Sequence, residues 1–455
     1  MNNSGNMCYH IKVLCILIVA GTTIAYGSLI HAYSFPSNPL KILSPKKTIL
    51  SNGLPLIYQE DKTSSITIVQ LLIHGGHRAD PEGKAGLAYL TTRLSLEIPD
   101  QRKIQQLMSQ ASRISMACYG DYSLIRIACL SEHLESTLKT VTQILKKPLF
   151  SGLRIDRIKE QMLHQREKEE DEPAQIALQK GLNCFYSDSS YGSPILGSKE
   201  SLDAIKKKDI EAFFNMHFKS ENMVVAVVSD LKEDSIIQIL KKYLEQIPEG
   251  TSPSQTAPTQ SSKIQGEKQI EVEKDIKQVL ISSIYPLPML SLKNFTNTFL
   301  LANLLGKGIN SRLWRLRSEE KLAYNVNANA ILMRDGGIIE AYLETDNSKK
   351  LQAREALKKE LADLFENGVS NEELLMTKFY LKSFLLRSNE SKDTRAYNLA
   401  FFEAFNLGSD FLNDVFREID NITIEEINAF IKEILDPQKE IQINVGPKDK
   451  AKNQQ

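Results

Sequence analysis

The stretch Gly75-Gly-His-Arg-Ala-Asp-Pro-Glu-Gly-Lys-Ala-Gly-Leu-Ala88, continued by Tyr89-Leu-Thr-Thr-Arg93, leads the chain out of a strand and into a helix. Four glycines and Pro81 punctuate it, which breaks regular structure. Ile66 to His74 before it is β-rich, and Ala85 to Leu96 after it reads as helix. On that helix Tyr89, Thr92 and Arg93 stand at i, i+3 and i+4 and share one face. Taken alone they need only ordinary helix packing and a solvated surface. His74 and His77, three apart around the turn, read as turn residues.

Working outward, the same succession of elements occurs twice. The first half opens with β-rich runs at Thr48 to Tyr58 and Ile66 to His74, the second at Gln269 to Tyr285. A helix follows (Ala85 to Leu96; Leu292 to Leu305), then strands (Ser115 to Tyr119 and Ser123 to Leu130; Tyr324 to Ala330 and Gly337 to Glu344). Long helices come next (Glu132 to Lys146 and Arg154 to Glu170; Asn347 to Glu366 and Asn371 to Ser388). Each half closes with a helix and a strand: Lys207 to His217 then Met223 to Val228, and Ile424 to Ile434 then Ile441 to Val445. Between the halves, 248–262 is rich in Pro, Ser, Thr and Gln and has no apolar periodicity, as in a solvated linker. The expected fold class is α+β: two similar domains, 33–247 and 268–455, each a mostly antiparallel sheet with helices packed on it, joined by a linker at 248–267. The repetition lies in the elements; residue-level repetition is weak.

A chain of 455 residues is too long for one ordinary core, which agrees with two domains. The balance of 42% hydrophobic and 25% charged residues is that of a globular protein. Lys+Arg and Asp+Glu both number 56, so neither net charge nor any basic tract argues for a nucleic-acid partner. Residues 1–32 have the layout of a secretory signal peptide: a short, weakly basic start, the apolar run Val13 to Ala20, and a cleavage position after Ala32. An uncleaved N-terminal anchor is the alternative, and no other stretch is long and apolar enough to span a bilayer. Of five cysteines, Cys8 and Cys15 fall in the signal; Cys118, Cys129 and Cys184 allow one disulfide or three free thiols, and no CxxC spacing occurs.

The segment Gly75 to Ala88 resembles the approach to the active-site helix of the pitrilysin-like M16 zinc peptidases, whose next residues read His-x-x-Glu-His. The resemblance extends over nearly the whole mature chain, through Glu170-Asp-Glu-Pro173, Tyr191-Gly-Ser-Pro-Ile-Leu-Gly197 and Phe214 to Asn222. Its most specific part is Leu305-Gly-Lys-Gly-Ile-Asn-Ser-Arg-Leu-Trp-Arg-Leu-Arg-Ser-Glu-Glu-Lys-Leu-Ala-Tyr324, which is similar to the family's Gly-rich turn, helix and closing Leu-Ala-Tyr. The implied fold is two LuxS/metallohydrolase-like M16 domains. In the family motif two His at i and i+4 share a Zn²⁺, the Glu polarises the metal-bound water, and a later Glu completes the site. Here Tyr89, Thr92 and Arg93 stand at the His, Glu and His positions, and Gln165 at the third-ligand position, with His164 one residue away. Tyr and Thr are poor zinc ligands, and Arg repels a cation. Ser115-Met116 replaces the Asn-Ala common in the family's edge strand.

Arg317 and Tyr324 keep the spacing of the family's C-terminal Arg/Tyr pair, which reaches across the chamber to substrate. Arg offers a fork of donors to a peptide carbonyl or carboxylate, and Tyr a hydroxyl that supports developing charge on the scissile carbonyl. In some bacterial members one subunit carries the zinc motif and its partner the Arg/Tyr pair. The expectation is therefore a subunit inactive by itself that holds no cofactor. It would bind extended peptides and complete the chamber of an exported, periplasmic heterodimeric zinc peptidase whose metal lies on the His-x-x-Glu-His partner. The alternatives are a structural scaffold comparable to the core subunits of respiratory complexes and a stand-alone metalloenzyme with a remodelled site.

Overall fold

The computed structural model describes residues 44–250, 268–408 and 410–448. The expected signal peptide, with Cys8 and Cys15, lies outside them, as does 251–267, the larger part of the expected linker. The strands are β1 (Lys46–Ile49), β2 (Pro55–Glu60), β3 (Ile66–His74), β4 (Arg113–Cys118), β5 (Tyr122–Leu130), β6 (Met223–Ser229), β7 (Gln269–Glu273), β8 (Gln278–Pro286), β9 (Asn325–Met333), β10 (Gly336–Asp346) and β11 (Ile441–Gly446). They form one sheet in the order β1-β2-β6-β3-β5-β4 and a second in the order β7-β11-β8-β10-β9.

The second sheet repeats the first strand for strand, from β2 onward. β2 runs parallel to β6, as β7 does to β11, and every other pairing is antiparallel. The extra strand β1 comes from the expected β-rich run Thr48 to Tyr58, which holds a strand at each end. At Leu50 to Leu54 the chain turns back on itself, with Gly53 at φ +79°, a value that favours glycine. The mixed α+β class with two similar sheets is thus what the chain adopts.

The central strands β3 and β8 are buried along almost their whole length, so both faces of each sheet are covered. Side chains alternate across a strand. Val69, Leu71 and Ile73 join a core with the helices Leu134–Lys146 and Glu233–Leu244. The opposite face of β3 and β6 is covered by the helix Lys392–Ala404, which belongs to the second half of the sequence. The exchange is mutual. The helix Pro173–Tyr186, from the first half, lies on β8, β10 and β11 and shares a core with Leu280, Ile284, Ile338 and Ile443. It lies so close that a Cβ on Gly181 would come within 2.7 Å of Ile284 Cδ1.

Polar contacts fasten this interlock. The Lys392 ammonium, 8% exposed, donates to the backbone carbonyls of Asp61 (2.7 Å), Ser64 (2.6 Å) and Ile66 (2.9 Å). Asp393 accepts from Gln70 (3.0 Å) and pairs with Arg126. Asp121 accepts from the Tyr191 hydroxyl and from the Arg334 amide (2.8 Å), and Arg78 pairs with Asp335 at 2.5 Å. Cys118, Cys129 and Cys184 are free thiols. Among the described residues no helix is long and apolar enough to cross a membrane.

Candidate functional site

The helix that carries the altered motif spans Leu87–Ser95. Its start is set by Asp80, which accepts from the amides of Gly86 (2.8 Å) and Ala88 (2.7 Å), donors the helix leaves unpaired. Burial pushes the Asp80 carboxyl up to about 7. Gly86 precedes the helix at φ +96°. Asp80 escaped the sequence reading because it lies six residues ahead of the N-cap Gly86, outside the range of an ordinary capping side chain.

From this helix the four altered positions diverge in role. The Tyr89 hydroxyl donates to Gln165 Oε1 at 3.3 Å, so the first and last of them meet between this helix and the helix Gly152–Glu169. Its neighbour His164 contacts Glu167 instead, at 3.1 Å on the same helix. Thr92 is wholly buried; its hydroxyl is shared between the Ala88 carbonyl (2.8 Å) and Ser123 Oγ (3.0 Å) of β5. Arg93 turns to Glu97 just past the end of its helix (2.7 Å), which also pairs with Arg157.

This donor set does not fit zinc. A phenol, a hydroxyl already bonded within the fold, a paired guanidinium and an amide supply neither the imidazoles nor the carboxylates such a site needs. Among the described residues no group of three or more His, Cys, Asp or Glu side chains is placed to hold a metal. His74 and His77 are not gathered into one either. His74 packs edge-on to Phe405 and His77 edge-on to Tyr191, and burial lowers each imidazole to about 4. His217, behind Gly75, is lowered to about 4 by the same cause.

In the second half, Arg317 lies on the short helix Trp314–Ser318, exposed, its guanidinium 4.8 Å from the Trp314 ring centre. Tyr324 immediately precedes β9 and is 52% exposed. Its amide donates to Glu344, which ties it to β10, and its hydroxyl donates to Asp346. That bond holds the phenol's pKa above its ordinary value. The backbone around Tyr324 is therefore fixed while the ring faces outward.

Ser115 and Met116 lie on β4, an edge strand of the first sheet, as β9 is of the second. Ser115 is exposed, and Met116 packs inward against the core.

Comparison with known proteins agrees with this architecture. The family model described as Insulinase (Peptidase family M16) matches residues 56–199, and the one described as Peptidase M16 inactive domain matches residues 204–381. The chain is 26% identical over 393 residues to the Non-peptidase homolog YmxG of Helicobacter pylori, covering 83% of this chain and 88% of that protein. In structure it is similar to a peptidase M16 inactive domain from Pseudomonas fluorescens (TM-score 0.81, 20% identity, 90% of this chain and 98% of that one). It is likewise similar to a chain of Complex III2 from Candida albicans (TM-score 0.75, 18% identity, 88% and 95% covered). The two family models together cover most of the chain and no His-x-x-Glu-His occurs in its sequence, so the chain belongs to the M16 peptidase family as a member without the zinc motif.

Proposed function

We propose that this chain is the non-catalytic, peptide-binding subunit of an exported heterodimeric zinc peptidase. The zinc and its His-x-x-Glu-His motif lie on the partner. One contrast carries the reading: Thr92 is taken into the core and Arg93 into an ion pair with Glu97, whereas the Arg317 side chain and the Tyr324 ring stand exposed on the other half, the Tyr324 hydroxyl on Asp346. Arg317 would hold a backbone carbonyl or carboxylate of an extended peptide through its planar fork. Tyr324, whose hydroxyl donates to Asp346 in the chain alone, would turn that donor to the scissile carbonyl as charge develops on the partner's active site. Export to the periplasm follows from the signal-like residues 1–32.

The test is co-expression with a catalytic M16 homologue from the same cell. The isolated chain should not cleave peptides, and the pair should. Arg317→Ala and Tyr324→Phe should each lower kcat/KM of the pair by about a hundredfold, the scale of losing one transition-state donor. Unchanged activity in both variants would overturn the proposal. It would support the second reading, a scaffold subunit, which the likeness to a chain of Complex III2 favours.

A further inference from the structure

We infer that the groove beside the altered motif is an anion site that takes an acidic side chain of a bound peptide. A groove of about 620 Å³ opens between the end of the motif helix and the start of the helix Gly152–Glu169. Arg93, Arg154 and Arg157 line it, and Glu97 is the one acidic residue among its lining. Glu97 is engaged twice, by Arg93 at 2.7 Å and by Arg157. Three guanidiniums against one carboxylate leave the groove with an excess of positive charge.

Arg154 is the decisive residue. Its Nη1 is buried with no hydrogen-bond partner, although buried polar groups are ordinarily bonded. A guanidinium cannot relieve that by losing its proton, because it stays charged at all ordinary pH. Arg154 also lines the groove, where a carboxylate from a bound peptide matches the guanidinium fork. The rest of the groove narrows the choice. Ile98, Ile104 and the 87% exposed Leu153 give it apolar walls. A bare inorganic anion would leave those walls wet, whereas an Asp or Glu flanked by apolar residues would cover them.

The position of the second histidine of the zinc motif thus lies in a cation-lined groove. This rests on the peptide-binding reading above but uses a different surface from Arg317 and Tyr324. It therefore assigns a preference, acidic residues with apolar neighbours, that those two do not.

The experiment is isothermal titration of the full mature chain with acetyl-Ala-Leu-Asp-Ile-Ala-amide and with its Asn counterpart, both capped so that the side chain carries the only charge. The Asp peptide should bind about tenfold more tightly or better, as one charge-assisted pair requires, and weaken as salt is raised. Arg154→Gln should bring its affinity down to that of the Asn peptide. Arg157→Gln, at an exposed position, provides the same readout if Arg154→Gln does not fold. Displacement of the Asp peptide by sodium phosphate at equal concentration would show that the groove takes any oxyanion, overturning the preference for a peptide carboxylate. Equal binding of the two peptides, before and after substitution, would overturn the anion site while leaving the Arg317/Tyr324 reading intact. Binding of neither peptide would overturn the site as well, whereas the activity of the co-expressed pair tests the other reading separately.

Discussion

The two halves of the molecule hold the same five strands in the same order and the same directions, yet they differ in what they expose. In the first half the helix facing the edge strand β4 turns its motif positions inward or into pairs: Thr92 into the sheet, Tyr89 to Gln165, Arg93 to Glu97. In the second half the segment leading into the matching edge strand β9 leaves Arg317 and Tyr324 to solvent. Duplication has fixed the scaffold and freed the side chains. Each sheet is sealed by a helix of the other half.

That mutual sealing is also the place where the comparison can be broken most severely. If the halves were independent domains, residues 33–250 and 251–455 would each fold when produced separately. The interlock predicts otherwise. The first half would lose the Lys392–Ala404 helix from β3 and β6 and would expose Phe185 and Tyr186, each 1% exposed in the whole chain. Leaving a side chain of that size in water forfeits about 1.5–3 kcal/mol apiece. Each half alone should lack a cooperative melt by circular dichroism, and mixing or co-expressing them should restore one complex on size exclusion. A folded, monomeric half would show the exchange to be incidental.

A smaller break is Asp121→Ala. Asp121 accepts from Tyr191 of its own half and from the Arg334 amide of the other, in a buried setting. Removal leaves both donors unsatisfied and Arg78 with less counter-charge, at a cost of about 3 kcal/mol. Urea unfolding should show this as a lower midpoint with an unchanged slope. A change below about 1 kcal/mol would mean that the junction does not hold the halves together.

These two features show where the sequence was legible and where it was not. Strand β3 and the helices Asn371–Ser388, Lys207–His217 and Ile424–Ile434 have the boundaries that their apolar patterns predict. The helices Pro173–Tyr186 and Lys392–Ala404 were missed. Each buries its apolar face on a sheet from the other half of the chain, and Gly181, needed for close approach, reads locally as a break. The positions of the altered motif were readable because a helix fixes i, i+3 and i+4. Asp80, Glu97 and Arg154 were not, since their importance comes from a fold that brings them to that helix.

Buried titratable groups give the molecule a pH dependence of both signs. In the first half His77 and His217 are lowered to about 4; Asp80 of the same half, and in the second half Glu340 of β10, bonded to Ser282 at 2.5 Å, are raised by burial to about 7. A carboxyl raised above its unfolded value contributes stability that is complete below about 4.5 and lost as pH rises through about 7. The histidines, lowered below 6.5, act in the opposite sense and lose theirs as pH falls from 6.5 towards 4. Glu340→Gln should therefore gain about 2 kcal/mol relative to the unaltered chain between pH 5 and pH 8, while its acid-side loss remains. Parallel pH curves for the two proteins would mean that Glu340 does not stay protonated in the fold.

The finest test compares two positions within the altered motif. Thr92 and Tyr89 lie on one helix, and both replace residues of a metal site, but only Thr92 has been taken into the core. Thr92→Val keeps the shape and removes the hydroxyl shared by Ala88 and Ser123, leaving Ser123 Oγ with only its 3.7 Å bond to Cys118 Sγ; it should cost about 1–2 kcal/mol. Tyr89→Phe removes only a 3.3 Å bond to the exposed Gln165, which water replaces, and should change stability by less than about 0.5 kcal/mol. Thermal melts of the two variants side by side decide the matter. If Tyr89→Phe proved the costlier, the Tyr89–Gln165 contact would be a structural clasp standing where the metal stood, and the first half would have replaced its zinc rather than dispensed with it.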